Sequence, residues 1–252
     1  MLTALPRLLL LGAVLASPAW GAGEGEDLRA IIRRVEKQYW SSSSHGTMRM
    51  EVVTRNWRRS LLLEAWSRGD EEFLVRILEP AKDRGVATLK SGEDIWNYLP
   101  RVDRTIKIPS SLMGEGWMGS HLTNDDLVKE SRVERDYDFS LLERRRVEGE
   151  TRLVIEAVPR PEAAVVWGRI VYEIGEELLL PRETVYYDEE GRERRRMRFG
   201  QVRDLGGKRL PTRVEVTPLD KPGEETVMTY LEMAFDVPLP AGFFSLANLG
   251  RQ

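Results

Sequence analysis

The sequence predicts a mainly β protein with few helices, built as a long antiparallel meander that curves into an open or partly closed sheet. Three observations carry that reading. From residue 47 onward apolar and polar residues alternate with a period of two. The alternating runs are short and are bounded by Gly, Pro, Asp and Asn. Before them only one stretch, residues 28–39, carries a clear helical period.

The first residues read as a secretory signal. Arg7 supplies the positive start, residues 8–16 (LLLLGAVLA) the apolar core, and residues 17–21 small residues for cleavage after Gly21. That core is far shorter than the roughly 20 residues needed to span a bilayer. It is expected to be removed, leaving one domain over residues 22–252. The chain has no cysteine, which excludes acylation at a cleavage-site cysteine, disulfides and zinc–thiolate sites. An exported chain without disulfides suits a bacterial periplasm. The net charge is −3, and a mildly acidic chain is a poor nucleic-acid binder.

The helix opens on Glu26 and Asp27 and places Leu28, Ile31, Ile32, Val35 and Tyr39 on one stripe. Ser41 to Ser44 and Gly46 end it. Three alternating strands follow, with Met48, Met50 and Val52, then Leu61, Leu63 and Ala65, then Phe73, Val75 and Ile77 on one face each. Residues 85–89, 95–99 and 104–108 continue the meander. Thr123-Asn124-Asp125-Asp126 signals a helix start before Leu127 and Val128. Strands resume at 132–139, 152–158, 165–174, 178–187, 193–203, 209–217 and 224–234, and residues 243–249 predict a short closing helix.

Nothing in the chain assembles a familiar catalytic pattern. His45 and His121 are far apart and outside any ligand-spaced motif, so no metal site is expected. There is no G-x-S-x-G elbow, no S-x-x-K pair and no phosphate-cradling glycine loop before a helix. The chain therefore reads as a non-enzyme without a cofactor. The run Arg192, Arg194, Arg195, Arg196, Arg198 predicts a strand with a basic outer face, either solvated beside acids or docking an acidic partner or lipid headgroups.

Two apolar sets are the candidate binding residues. Met48, Met50, Leu61, Leu63, Phe73, Val75 and Ile77 share a face, with Trp96, Tyr98 and Trp167 joining or flanking them. Alternation of this kind builds ordinary core, but methionine also suits a lining that must accept variable chains. The loop 109–121 combines three glycines with Leu112, Met113, Trp117 and Met118. It reads as a lid over an apolar cavity, a membrane-touching tip or a packed loop.

Residues 78–80 (LEP), 85–89 (GVATL), 96–100 (WNYLP), 112–114 (LMG), 117–120 (WMGS) and 125–127 (DDL) resemble the outer-membrane lipoprotein-sorting, LolA-like proteins. Later pieces agree, among them 211–213 (PTR), 235–239 (FDVPL) and 244–246 (FSL). The resemblance implies an unclosed antiparallel β-barrel, or half-barrel, around an apolar cavity with a helical lid. It further implies a periplasmic carrier of lipid or lipoprotein acyl chains between inner and outer membrane, in transient membrane contact. The likeness is to the longer branch of the family, associated with RND-type inner-membrane exporters. A periplasmic lipid-sensing adaptor or stress regulator of the same fold is the alternative.

Overall fold

The computed structural model describes residues 22–39, 41–129, 133–163 and 165–250, with side chains from Leu28 onward; the predicted signal segment lies outside them. Thirteen strands make one antiparallel sheet. In chain order they are β1 (Ser44–Val53), β2 (Arg58–Arg68), β3 (Glu72–Glu79), β4 (Ala87–Ser91), β5 (Asp94–Leu99) and β6 (Arg104–Lys107). There follow β7 (Tyr137–Val147), β8 (Glu150–Pro159), β9 (Arg169–Gly175), β10 (Leu180–Tyr187), β11 (Glu193–Leu205), β12 (Lys208–Pro218) and β13 (Glu225–Phe235).

The order across the sheet is β6-β5-β4-β3-β2-β1-β13-β12-β11-β10-β9-β8-β7. The chain thus enters at the middle, works outward by hairpins to one edge, jumps to the other edge and works back until β13 pairs with β1. Strands β6 and β7 do not pair with each other, so the barrel stays open. Register shifts at Thr47/Met48, Leu62/Leu63, Leu141/Glu143, Pro181/Glu183 and Tyr186/Tyr187 are the bulges that bend a sheet and add twist. Gly46 sits beside the first of them, where a Cβ would lie 2.4 Å from the Glu232 carbonyl oxygen. Only glycine fits there.

The topology demands a long connection from the β6 edge to the β7 edge. Residues 108–136 supply it as 3₁₀ turns at Ser110–Leu112 and Trp117–Gly119 and the helices α2 (Asn124–Lys129) and α3 (Val133–Asp136). The connection runs over the concave face, where Trp117 and Leu122 join a core of Met50, Val52, Leu61, Leu63, Ile77, Val214 and Val216. The first helix, α1 (Ala22–Glu36), packs Leu28, Ile32 and Val35 against Leu153, Ile155, Ile170 and Tyr172 of β8 and β9. On the convex face the C-terminal tail and α4 (Leu246–Leu249) cover Leu74, Ala87 and Leu89 with Phe244 and Leu249.

One predicted strand is corrected. Residues 133–136 are helical, and the strand expected at 132–139 runs instead over β7 and takes in Arg144 to Arg146. Periodicity could not show this, because that stretch is held by charge. Arg144 pairs with Glu176 at 3.0 Å and Arg145 with Glu173 at 2.6 Å.

Candidate functional site: an apolar cavity under the edge-to-edge connection

Between the concave face and its cover lies a cavity of about 240 Å³. Met48, Ala65, Phe73, Val75, Met197 and Met228 form its sheet side. Trp117, Leu122 and Leu127 of the connection, Val133 of α3 and Val165, Val166 and Trp167 of the β8–β9 loop form the cover. Met233 adds a fourth methionine to the lining. A wall of unbranched, polarizable thioethers adapts to guests of different shape.

The candidate residues divide on this geometry. Met48, Phe73, Val75 and Trp167 line the cavity. Met50, Leu61, Leu63 and Ile77 are almost completely buried in the adjoining core and do not reach its surface. Trp96 and Tyr98 leave the set, because they pair with Leu89 and Ala87 and face the convex side, packed with the C-terminal tail. Two-residue periodicity fixes which residues share a face within one strand, but not which side of the sheet a distant strand presents.

Of the loop residues, only Trp117 reaches the cavity. It is 4% exposed, and its indole N–H donates to Thr88 Oγ1 at 3.1 Å. Met118 packs on the core with φ +50°, and its carbonyl accepts from Arg59 at 3.2 Å. Leu112 and Met113 lie outside the lining, and Leu112 is exposed. His121 fastens the loop to β13: its backbone N–H donates to Thr226 Oγ1 at 3.0 Å, and its Nε2 stands 3.1 Å from Glu224. Helix α2 starts as the sequence predicts. The Asp126 N–H donates to Thr123 Oγ1, and the Thr123 N–H donates back to the Asp126 carboxylate, so each caps the other.

The cavity wall also holds a buried ion pair that the sequence reading misplaced. Arg195 belongs to the arginine run expected to face outward, yet it points inward from β11. Its guanidinium donates to both oxygens of Asp126 at 2.5 and 2.9 Å. The guanidinium carbon lies 4.2 Å from the Tyr186 ring centre and 4.9 Å from that of Trp167. Burial opposes ionisation of Asp126, but the charge and hydrogen bonds of Arg195 prevail and hold its carboxyl below the usual range. Burial likewise opposes charge on Arg195, and Asp126 outweighs it. The available signal was the shared phase of Arg195, Met197 and Phe199. The other members of the run are solvated beside acids: Arg192 with Asp188, Arg194 with Asp220, and Arg196 and Arg198 with Glu183.

Glu36, Asp125 and Asp136 also border the cavity, near buried tyrosines. Tyr172 donates to Glu36 at 3.1 Å and Tyr137 donates to the Trp167 carbonyl at 3.1 Å. Burial first, then these carboxylates, push the Tyr137 hydroxyl pKa upward, so it stays a donor. Among the described residues, no group of three or more His, Asp and Glu is placed to hold a metal ion. No described helix is long and apolar enough to cross a membrane.

Residues 69–251 match the model of a family described as uncharacterized protein. The chain belongs to that family. No curated protein matches the sequence. Among solved structures, the chain is similar to a DUF1329 family protein from Desulfovibrio piger, at 22% identity and a TM-score of 0.77 over 89% of this chain and 98% of that one. It is similar to a putative outer membrane lipoprotein-sorting protein domain from Vibrio parahaemolyticus, at 22% identity and a TM-score of 0.78 over 92% and 100%. A LolA superfamily protein from Nitrosomonas europaea gives 22% identity and a TM-score of 0.71 over 87% and 97%. These likenesses establish a LolA-like fold for the family member described here.

Proposed function

We propose that this chain is a periplasmic, non-enzymatic carrier that takes a lipid or lipoprotein acyl chain into the cavity and moves it between membranes. The observation that carries this is the lining itself: four methionines with aliphatic and aromatic side chains around a cavity in an otherwise packed β protein. The neighbours named for lipoprotein sorting and the LolA superfamily support the reading through a shared fold. An inner-membrane exporter of the RND type is the partner we propose for loading or unloading.

The energetics set the requirement. An acyl chain of about 15 methylenes, at ~0.8 kcal/mol each, loses roughly 12 kcal/mol of favourable burial if it enters water bare. A carrier must replace most of that and still release its cargo. The cavity, about 240 Å³, is smaller than the roughly 300–1,000 Å³ of pockets that enclose a drug-sized ligand. Loading a whole chain therefore requires the cover, carried by the connection through Trp117 and Leu127 and by the β8–β9 loop through Trp167, to move away from the sheet.

The test is transfer of a fluorescent phospholipid or acylated peptide from donor to acceptor vesicles. Acceleration by the protein is expected. Ala65→Phe, which fills the cavity from the sheet side, is expected to abolish it with little change in melting temperature. Transfer no faster than in buffer, or transfer indifferent to Ala65→Phe, contradicts the reading.

A further inference from the structure

Most of the described arginines sit in ion pairs. Arg145 and Arg152 share Glu173 at 2.6 and 2.9 Å, Arg182 meets Glu150 at 2.5 Å, and Arg213 meets Glu215 at 2.8 Å. One region gathers exposed cations that do not sit in such pairs. The β1–β2, β3–β4 and β5–β6 turns lie at the same end of the antiparallel sheet. Residues 54–59, 79–85 and 100–104 carry seven Lys and Arg against three Asp and Glu, a local charge of +4 on a chain of net charge −3. Arg55, Arg58, Lys82, Arg84, Arg101 and Arg104 are exposed, and none of their side chains pairs with a carboxylate among the described residues, although the Arg55 backbone N–H donates to Glu224 at 3.0 Å. Trp57 and Val102, 42% and 59% exposed, project from the same turns.

The three turns are tied into one surface. Arg101 donates to the Lys82 carbonyl at 2.9 Å, and Arg59 bridges to Asp83 at 3.1 Å. The surface also abuts the cavity cover: Arg59 donates to the Met118 carbonyl, and the Trp57 ring lies beside Gly119.

We propose that the β1–β6 half of this end of the sheet docks on an anionic lipid bilayer. Exposed cations clustered without carboxylate partners are matched by a surface of lipid phosphates, each cation worth a substantial attraction near an anionic membrane. An exposed tryptophan among arginines has the amphipathic character that settles at headgroup depth. An acidic protein would account for the charge but not for Trp57 and Val102 at the crest. The docking stands apart from the carrier reading, since vesicle binding does not need an occupied cavity.

The experiment is flotation of the mature protein with vesicles of phosphatidylcholine and phosphatidylglycerol in equal parts, against vesicles of phosphatidylcholine alone. Salt-sensitive binding to the anionic vesicles only is expected. Reversal of Arg55→Glu with Arg58→Glu, or of Lys82→Glu with Arg84→Glu, should weaken partitioning at least about tenfold. Reversal of the acid-paired Arg192→Glu with Arg194→Glu should change it less than about twofold. Trp57→Ala should weaken binding while leaving its salt dependence intact. Absence of binding to anionic vesicles overturns the proposal, as does equal loss in the Arg192/Arg194 control. Binding to soluble polyglutamate without binding to vesicles would replace the bilayer with an acidic protein partner.

Discussion

Asp126 and Arg195 are the residues on which the site turns. Each is mostly buried, each neutralises the other, and together they tie α2 to β11 across the cavity wall. Asp126→Ala leaves the guanidinium buried without its counter-charge. It should cost about 3–5 kcal/mol in urea unfolding, whereas Asp126→Leu combined with Arg195→Met should recover most of that loss. Arg195 also shows what a one-dimensional reading can and cannot see. In a run of arginines the eye follows composition, while the fold follows phase, and Arg195 shares the phase of Met197 and Phe199. A charged residue on an apolar face needs a partner brought by the tertiary fold, and Asp126, 69 residues away, was recognised only as a helix-start signal. Trp117 carries the same lesson. Its place in a glycine-rich loop suggested mobility, yet its ring is buried and its N–H is bonded to Thr88. Trp117→Ala should cost about 3–5 kcal/mol in stability, so Trp117→Phe is the better variant for separating cargo exchange from folding.

Among the elements, the strands were the most legible and the connection the least. Short alternating runs with turn residues between them located the strands, and Thr123-x-x-Asp126 located α2. The sheet order was not legible, because pairing of β1 with β13 joins segments far apart in sequence and follows from no local signal. The connection from β6 to β7 is a consequence of that order. It is tied to the sheet through Trp117 to Thr88, Met118 to Arg59, His121 to Thr226 and Glu224, and Asp126 to Arg195, and braced within itself by the Asn124 side chain on the Leu112 carbonyl and by the Thr123 cap. Thr123→Ala should cost about 1 kcal/mol. The loss should appear as faster amide hydrogen exchange in residues 117–129 with the strands unchanged. Uniformly faster exchange would show that the connection opens only with the whole fold. Gly46 is the matching point in the sheet, where Gly46→Ala forces the Glu232 carbonyl away and should lower the melting temperature.

At the scale of the whole molecule, the folded state holds several carboxylates below their ordinary values. The Lys37 hydrogen bond lowers Asp70, Arg182 lowers Glu150, and the Ser42 and Ser41 hydroxyls lower Asp236, while Arg195 holds down Asp126 against its burial. A carboxyl more acidic when folded adds stability that is complete above its unfolded pKa, near 3.8 for Asp and 4.5 for Glu, and is lost as pH falls through the folded value. Melting temperature should therefore stay level from neutral pH to about 5 and fall steeply below about 4; a rise on acidification would contradict these pairings. The same half-open sheet gives the molecule its cavity, and its two unpaired edges are the reason a connection must cross it. What the cavity holds is the central claim, and native mass spectrometry of the chain purified gently from a bacterial periplasm tests it most directly. The account predicts a stoichiometric lipid or acyl adduct that is missing from Ala65→Phe prepared in the same way. Repeated preparations of the unsubstituted chain at apo mass, still unloaded after incubation with lipid, would contradict it.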